Sequence, residues 1–389
     1  MNVTVGRRTR HYRTVAFDVR KNAVRLIDQR LLPHRFQIVA ARNFQETARA
    51  IGEMTVRGAG AIGATAAYGL AQGVRAFRGR DLEIFSRRVD SIYQTLQAAR
   101  PTAVDPVNAM NEVRSRMIQG RTVAEQQELA LAAAQEFADD DVRHCEAIGR
   151  YGGPLIQGGM RILTHCNAGW LAFVDVGTAT APLYAAQAEG RKFRVFCDET
   201  RPRSQGATLT AWELAQQGIA HEVIADNAAG YLMQRGEIDL VIVGSDRTLG
   251  RTGEVTNKIG TYTKAVLAER HNIPFYVAIP LSTIDWTLFS GRDVPIEERD
   301  ESEVLGAWGA VARPGFRGSE PRCGRRVYVR VANPSSRARN PGFDVTPADL
   351  ITGIITPAGI FKPKDLWANR CKLGCRERGT NLRLRGEET

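Results

Sequence analysis

Apolar residues follow two different periods along this chain. Segments 64–78, 81–99, 105–119 and 122–148 each carry an apolar stripe at helical spacing, while the first forty residues hold only short strand-like pieces such as TVAFDV and AVRLID. Beyond residue 160 the pattern changes. RILTHC, FRVFCD, HEVIAD, DLVIVGS and PFYVAIP are short apolar runs, each followed by a helical pattern, which predicts a parallel sheet with right-handed crossovers. Between the two regimes lies IGRYGGPLIQGG, residues 148–159, where five glycines and a proline mark a break. The expected fold class is α/β: a mainly helical N-terminal domain with a small sheet (1–150), a Rossmann-like parallel-sheet domain (151–365) and a flexible basic tail (366–389).

In an open α/β sheet, ligands bind outside the carboxyl ends of the strands, so the residues that end each apolar run matter most. The five runs end in His165, Cys166 and Asn167; Glu199, Thr200 and Arg201; Asp226 and Asn227; Asp246 and Arg247; and Ser282, Thr283 and Asp285. A single aspartate after a strand is ordinarily a helix cap or turn residue. A polar cluster at every strand end favours convergence on one pocket, with Asp246 as a candidate acid and with Asn257 and Lys258 expected at the next helix start. Cys166 stands where strand gives way to NAGW, so its thiol can lie in the crevice. Neighbouring strand residues face opposite sides, so His165 is read as a satisfied or supporting residue and not as a base for Cys166.

RGAGAIG, residues 57–63, matches Gly-x-Gly-x-x-Gly formally. It lacks the buried strand before it and the acid that closes a dinucleotide site, so that reading fails. Two uses remain: amides at a helix N-terminus beside Arg57 that suit a phosphate, or close packing of small residues.

The formal charge is +11, and its location decides what it means. Residues 313–339 carry eight arginines against Glu320, and residues 362–389 carry eight Lys/Arg against four acids, which together account for all of it. Neither stretch interleaves aromatic residues as a single-strand platform would, so they read as a solvated loop and a frayed tail and no nucleic-acid partner is expected. No run approaches the roughly eighteen apolar residues of a membrane helix, and the basic start lacks a secretory apolar region, so a cytoplasmic location without membrane contact is expected. The cysteines, Cys145, Cys166, Cys197, Cys323, Cys371 and Cys375, have no framework spacing, and CKLGC alone is a weak zinc signal; no disulfide is expected.

The segments RGAGAIGATAAYG, RPTAV, ILTHCNAG, ETRPRSQGATLTAWEL, DNAAGYLM, VIVGSDR, NKIGTY, PLSTID, PIEER and FDVTPADLITGIIT closely resemble the methylthioribose-1-phosphate isomerase family of methionine salvage, in register over residues 45–361. Ribose 1,5-bisphosphate isomerases and regulatory subunits of translation initiation factor 2B are more distant relatives. The resemblance implies Cys166 and Asp246 as catalytic residues, and Arg57, Gly58, Ala59, Arg100, Gln205, Asn257 and Lys258 as substrate contacts. It also implies a homodimer, a phosphorylated pentose substrate and an aldose–ketose isomerisation that requires no metal or organic cofactor. The phosphate blocks ordinary ring opening at the anomeric oxygen. A protonated Asp246 would donate to the ring oxygen while Cys166 assists transfer between C2 and C1, by hydride or through an enediolate. Gly60, Ser245 and NAGWLAF depart from the family's usual residues. Two other classes compete: a non-catalytic regulatory subunit, which retention of Cys166 and Asp246 opposes, and a dinucleotide oxidoreductase.

Overall fold

The structure is a computed structural model that describes residues 1–100, 104–311 and 326–375. Its helical part is organised around Ala59–Arg75, whose residues from Gly60 to Val74 are all buried. A helix so rich in glycine and alanine has no thick apolar face, which lets neighbours close on it from several sides. Leu82–Ala98, Val104–Met117 and Val123–Gly152 do so, with Phe44–Gly52 closing the remaining side. Asn43, Asp81 and Thr122 cap three of these helices by accepting from first-turn amides. TVAFDV and AVRLID become the strands Val15–Asp18 and Ala23–Ile27, which pair antiparallel and are joined by Ile38–Ala41.

The expected break at 148–159 begins later than the glycines suggest, because the long helix continues to Gly152. Gly149 and Gly152 serve packing: a Cβ at Gly149 would lie 3.1 Å from the Ala181 carbonyl oxygen, and one at Gly152 would lie 2.5 Å from Pro182. The helix Ala181–Ala188 therefore sits directly against the end of the long helix.

All five expected strands form and lie in one seven-stranded sheet. Its order is Gly359–Phe361, Gly353–Thr356, Phe275–Ala278, Leu240–Val243, Arg161–Thr164, Arg194–Asp198 and His221–Ile224, with only the first pair antiparallel. Leu240–Val243 is buried throughout, as a central parallel strand requires. A smaller sheet of Ile284–Asp285, Arg247–Leu249, Val255–Lys258 and Phe343–Thr346 stands beside it. Asn257 and Lys258 thus occupy a strand end, opposite Asp344 and Phe343, and not the helix start expected of them; the helix Thr261–Arg270 begins beyond them.

Both basic stretches are more structured than a loop and a tail where they are described. Arg326–Arg330 pairs with Gly306–Ala310, and Arg337 and Arg339 form ion pairs with Glu301 and Glu298. Residues 313–325, with Cys323, and 376–389 lie outside the described residues. Residues 366–375 pack: Leu366 and Leu373 belong to the core around Phe275 and Val277, and Arg251 lies over the Trp367 ring at 4.0 Å. Among the described residues no helix is long and apolar enough to cross a membrane, and Cys145, Cys166, Cys197, Cys371 and Cys375 are free thiols.

Leu373→Ala tests whether the segment is part of the core. A packed leucine predicts a loss of about 2–4 kcal/mol in urea unfolding, and a flexible tail predicts a change within about 0.5 kcal/mol.

Candidate active site

The strand Arg161–Thr164 delivers Cys166 in an unusual backbone state, with φ at +65°. A non-glycine residue in the left-handed region is held there only when its surroundings over-determine it. Here they do. The Cys166 amide donates to Thr200 Oγ1 at 2.8 Å, and Thr210 Oγ1 donates to the Cys166 carbonyl at 2.7 Å. Cys166 is 8 % exposed and lines a cavity.

Asp246 follows Leu240–Val243 and lines the same cavity, its amide donating to the Thr256 carbonyl at 2.9 Å. Its side chain is exposed to the cavity and yet enclosed by protein around it. Desolvation lifts its carboxyl above the ordinary range, against the pull of Lys258, Arg100 and Arg247 and with a small push from Glu297. A second carboxyl lies close by. Asp105, in the first turn of Val104–Met117, is 4 % exposed and one of its oxygens has no hydrogen-bond partner. Burial pushes it up to about 7, and the charge of Asp246 adds to the effect.

The residues expected to contact an anion come from other segments. Ala59–Arg75 has no side-chain cap, and its first turn meets the cavity through Gly58 and Ala59. Gly58 has φ +89°, and a Cβ there would lie 2.3 Å from Ala172 Cα, so only glycine fits. Arg57 donates to Asn167 twice, to Oδ1 at 2.8 Å and to the carbonyl at 3.0 Å. Gln205 leads into the π-helical turn Gly206–Thr210, and its Oε1 is buried without a partner. Lys258 Nζ lies 4.2 Å from the centre of the Phe343 ring; burial lowers its ammonium while Cys166 and Asp246 oppose that shift.

Cys166, Asp246, Arg57, Gly58, Ala59, Arg100, Gln205, Asn257 and Lys258 all line this one cavity. Of the strand-end residues, only His165, Cys166, Asn167, Asp246 and Arg247 reach it. The convergence expected of every strand end is therefore partial. Asp226 instead accepts from the Thr200 and Arg201 amides, and Asp285 pairs with Arg247 at 3.1 Å. His165 does not pair with Cys166; its Nδ1 faces Asp198 at 2.7 Å and its Nε2 faces the Ile259 carbonyl at 2.9 Å.

Several lining residues lay inside recognised segments without being singled out: Arg203 in ETRPRSQGA, Arg299 in PIEER, and Asp105 just after RPTAV. Charge pairing separates the cations. Arg203, Arg247 and Arg299 are matched by Glu303, Asp285 and Glu297 with Glu303. Arg57, Arg100 and Lys258 form no salt bridge among the described residues. Three unmatched cations in one cavity suit a single phosphate.

Among the described residues one metal-like group occurs: His165, Asp198 and Asp226 bring ligand atoms within 4.8 Å of one another. Lys264 already supplies a cation there, with Nζ 3.2 Å from Asp198 Oδ2. Gly58 to Gly63 does not build a dinucleotide turn. Gly60 instead faces Asp141, where a Cβ would lie 2.2 Å from Oδ1, which explains glycine at that departure from the family's usual residue.

The model of the initiation factor 2 subunit family matches residues 55–363. The methylthioribose-1-phosphate isomerase of Methylocella silvestris is 48% identical over 350 residues, covering 87% of this chain and 91% of that protein. That of Methylobacterium nodulans is 48% identical over 360 residues, covering 90% and 93%. Among solved structures, 5-methylthioribose 1-phosphate isomerase from Pyrococcus horikoshii superposes with a TM-score of 0.81 at 39% identity, covering 94% of this chain and 96% of that one. The delta subunit of translation initiation factor eIF-2B from A. fulgidus gives 0.78 at 38% identity, covering 93% and 99%. Fold likeness alone does not separate an isomerase from a regulatory subunit.

Asp141 provides a pH test away from the cavity. Burial pushes its carboxyl up to about 7, against the hydrogen bond from the Val174 amide at 2.7 Å. A raised folded pKa means the native state holds the proton more tightly, so stability falls as pH rises from about 4 to about 7. Asp141→Asn lacks that loss, and its stability relative to wild type is predicted to improve between pH 5 and pH 8, by no more than about 4 kcal/mol overall. Parallel pH dependence of the two proteins in urea unfolding would show an ordinary carboxylate instead.

Proposed function

The chain belongs to the initiation factor 2 subunit family, and on that premise we propose that it is an isomerase converting 5-methylthioribose 1-phosphate to 5-methylthioribulose 1-phosphate. The observation that carries this reading is the meeting of Cys166 and Asp246 in one cavity with Arg57, Arg100 and Lys258. A regulatory subunit needs the cations but not the other two groups.

Arg57, the Gly58 and Ala59 amides, Arg100, Gln205, Asn257 and Lys258 hold the phosphate and hydroxyls, which fixes the sugar against the reacting groups. Asp246 donates a proton to the ring oxygen as the ring opens. The desolvation that lifts its carboxyl favours the acid form this step needs. Cys166 assists the transfer between C2 and C1 from a thiol position fixed by Thr200 and Thr210. The three unmatched cations account for one phosphate and leave none for a second, while Met54, Ile62, Ala172 and Phe173 supply apolar lining suited to a thioether substituent. This favours a 5-methylthio or 5-deoxy sugar over a bisphosphate. The reading also includes a homodimer in the cytoplasm, as the family resemblance and the absence of a framework of cysteine spacings support.

The test supplies 5-methylthioribose, 5-deoxyribose and ribose 5-phosphate, each as its 1-phosphate, and follows ketose formation by NMR. Turnover of the first is expected to exceed that of the bisphosphate; no ketose from any of them would refute the enzyme reading. Cys166→Ser and Asp246→Asn are each predicted to lower turnover by on the order of 10²- to 10⁴-fold with circular dichroism unchanged. Near wild-type turnover in either would remove that residue from the mechanism.

A further inference from the structure

Glu213 is wholly buried on the helix Ala211–Gln216 and does not line the cavity, yet four groups converge on its carboxylate. Asn167 Nδ2 donates to Oε1 at 2.8 Å and the Leu171 amide to the same oxygen at 3.0 Å. The Trp170 amide donates to Oε2 at 2.9 Å and the Tyr184 hydroxyl at 3.2 Å. The carboxylate occupies the space a side chain at Gly169 would need, since a Cβ there would lie 1.9 Å from Oε2. One anion therefore fastens the whole turn from Asn167 to Leu171.

That turn is where Arg57 rests. Asn167 accepts both guanidinium contacts of Arg57, through Oδ1 and through its own carbonyl, and its amide nitrogen is committed to Glu213 and Thr210. The amide cannot flip without placing a donor against the guanidinium. Ala172, just past the turn, forms the wall against which Gly58 closes. Charge runs the same way, because Arg57 is half-buried and desolvated, and Glu213 is one of the groups whose charge stabilises its cation.

Building on the isomerase reading, we propose that Glu213 is a positioning residue of the phosphate site: through Asn167 it aims the Arg57 guanidinium into the cavity. Glutamine is nearly isosteric but would set an NH₂ group against two of the four donors, so the turn would lose its anchor while the core kept its volume.

A double-mutant cycle separates positioning from general support of the fold. Inorganic phosphate affinity is measured by calorimetry for wild type, Glu213→Gln, Arg57→Ala and the double variant. Arg57→Ala is expected to weaken binding by about tenfold or more, in line with the loss of a charge-assisted contact. Glu213→Gln is expected to weaken wild type by about fivefold or more but the Arg57→Ala protein by less than about twofold, since its effect runs through Arg57. In turnover, Glu213→Gln is expected to raise KM for methylthioribose 1-phosphate with kcat changed by less than about threefold. An equal factor in both backgrounds, or a phosphate affinity that Arg57→Ala leaves unchanged, overturns the proposal. Asn167→Ala in place of Glu213→Gln gives the same cycle if the glutamine variant does not fold. Phosphate binding needs no turnover, so this idea and the isomerase reading fail separately.

Discussion

The approach of the turn 167–172 to the start of the helix Ala59–Arg75 is the constraint on which the site depends. Gly58 meets Ala172 at a distance no other residue permits, and the turn is held from behind by the buried Glu213 carboxylate. This contact brings a helix N-terminus from the first half of the chain onto the carboxyl edge of the parallel sheet in the second. Cys166 and Arg57, far apart in sequence, become neighbours because of it. A shift at Gly58 would move the helix N-terminus relative to the thiol, and the proposed chemistry would tolerate little of that.

Electrostatics in the cavity follow from which charges are balanced locally. Arg203, Arg247 and Arg299 carry their own carboxylates and brace the walls. Arg57, Arg100 and Lys258 form no salt bridge among the described residues, and burial lowers the pKa of all three although nearby acids oppose that shift. In the proposed reading a phosphate would relieve that cost, because it would add counter-charge in a low-dielectric site. The same desolvation acts with opposite sign on the carboxyls, raising Asp246 and Asp105. One physical cause therefore lowers the cations and raises the acids.

Backbone strain at Cys166 belongs to the same arrangement. The left-handed conformation turns the chain sharply as it leaves the strand, so the thiol faces the cavity while His165 faces Asp198 and Ile259. Thr200, itself at φ +63°, holds the Cys166 amide from the neighbouring strand end. Sheet edges are where such conformations can be fixed, because neighbouring strands end at the same level and offer side chains to pin them.

Period and composition alone determined a great deal here. The helical stripes, the five apolar strands and the change of regime near residue 150 are local properties of the chain, and each became the element it suggested, because a period of 3.6 or an unbroken apolar run leaves few alternatives. Motif segments likewise marked Cys166, Asp246, Arg57, Arg100 and Lys258 as one group, and one cavity brings them together. Tertiary structure decided what no local pattern encodes. Gly149 and Gly152 look like a break and are packing contacts, Asn257 and Lys258 sit on a strand of a second sheet, and Leu366 and Leu373 anchor a stretch that composition marks as a tail. Asp105 and Glu213 gained their importance only from burial beside groups distant in sequence, since desolvation and hydrogen-bond partnership are set by what the folded chain places around a residue and not by its neighbours along it.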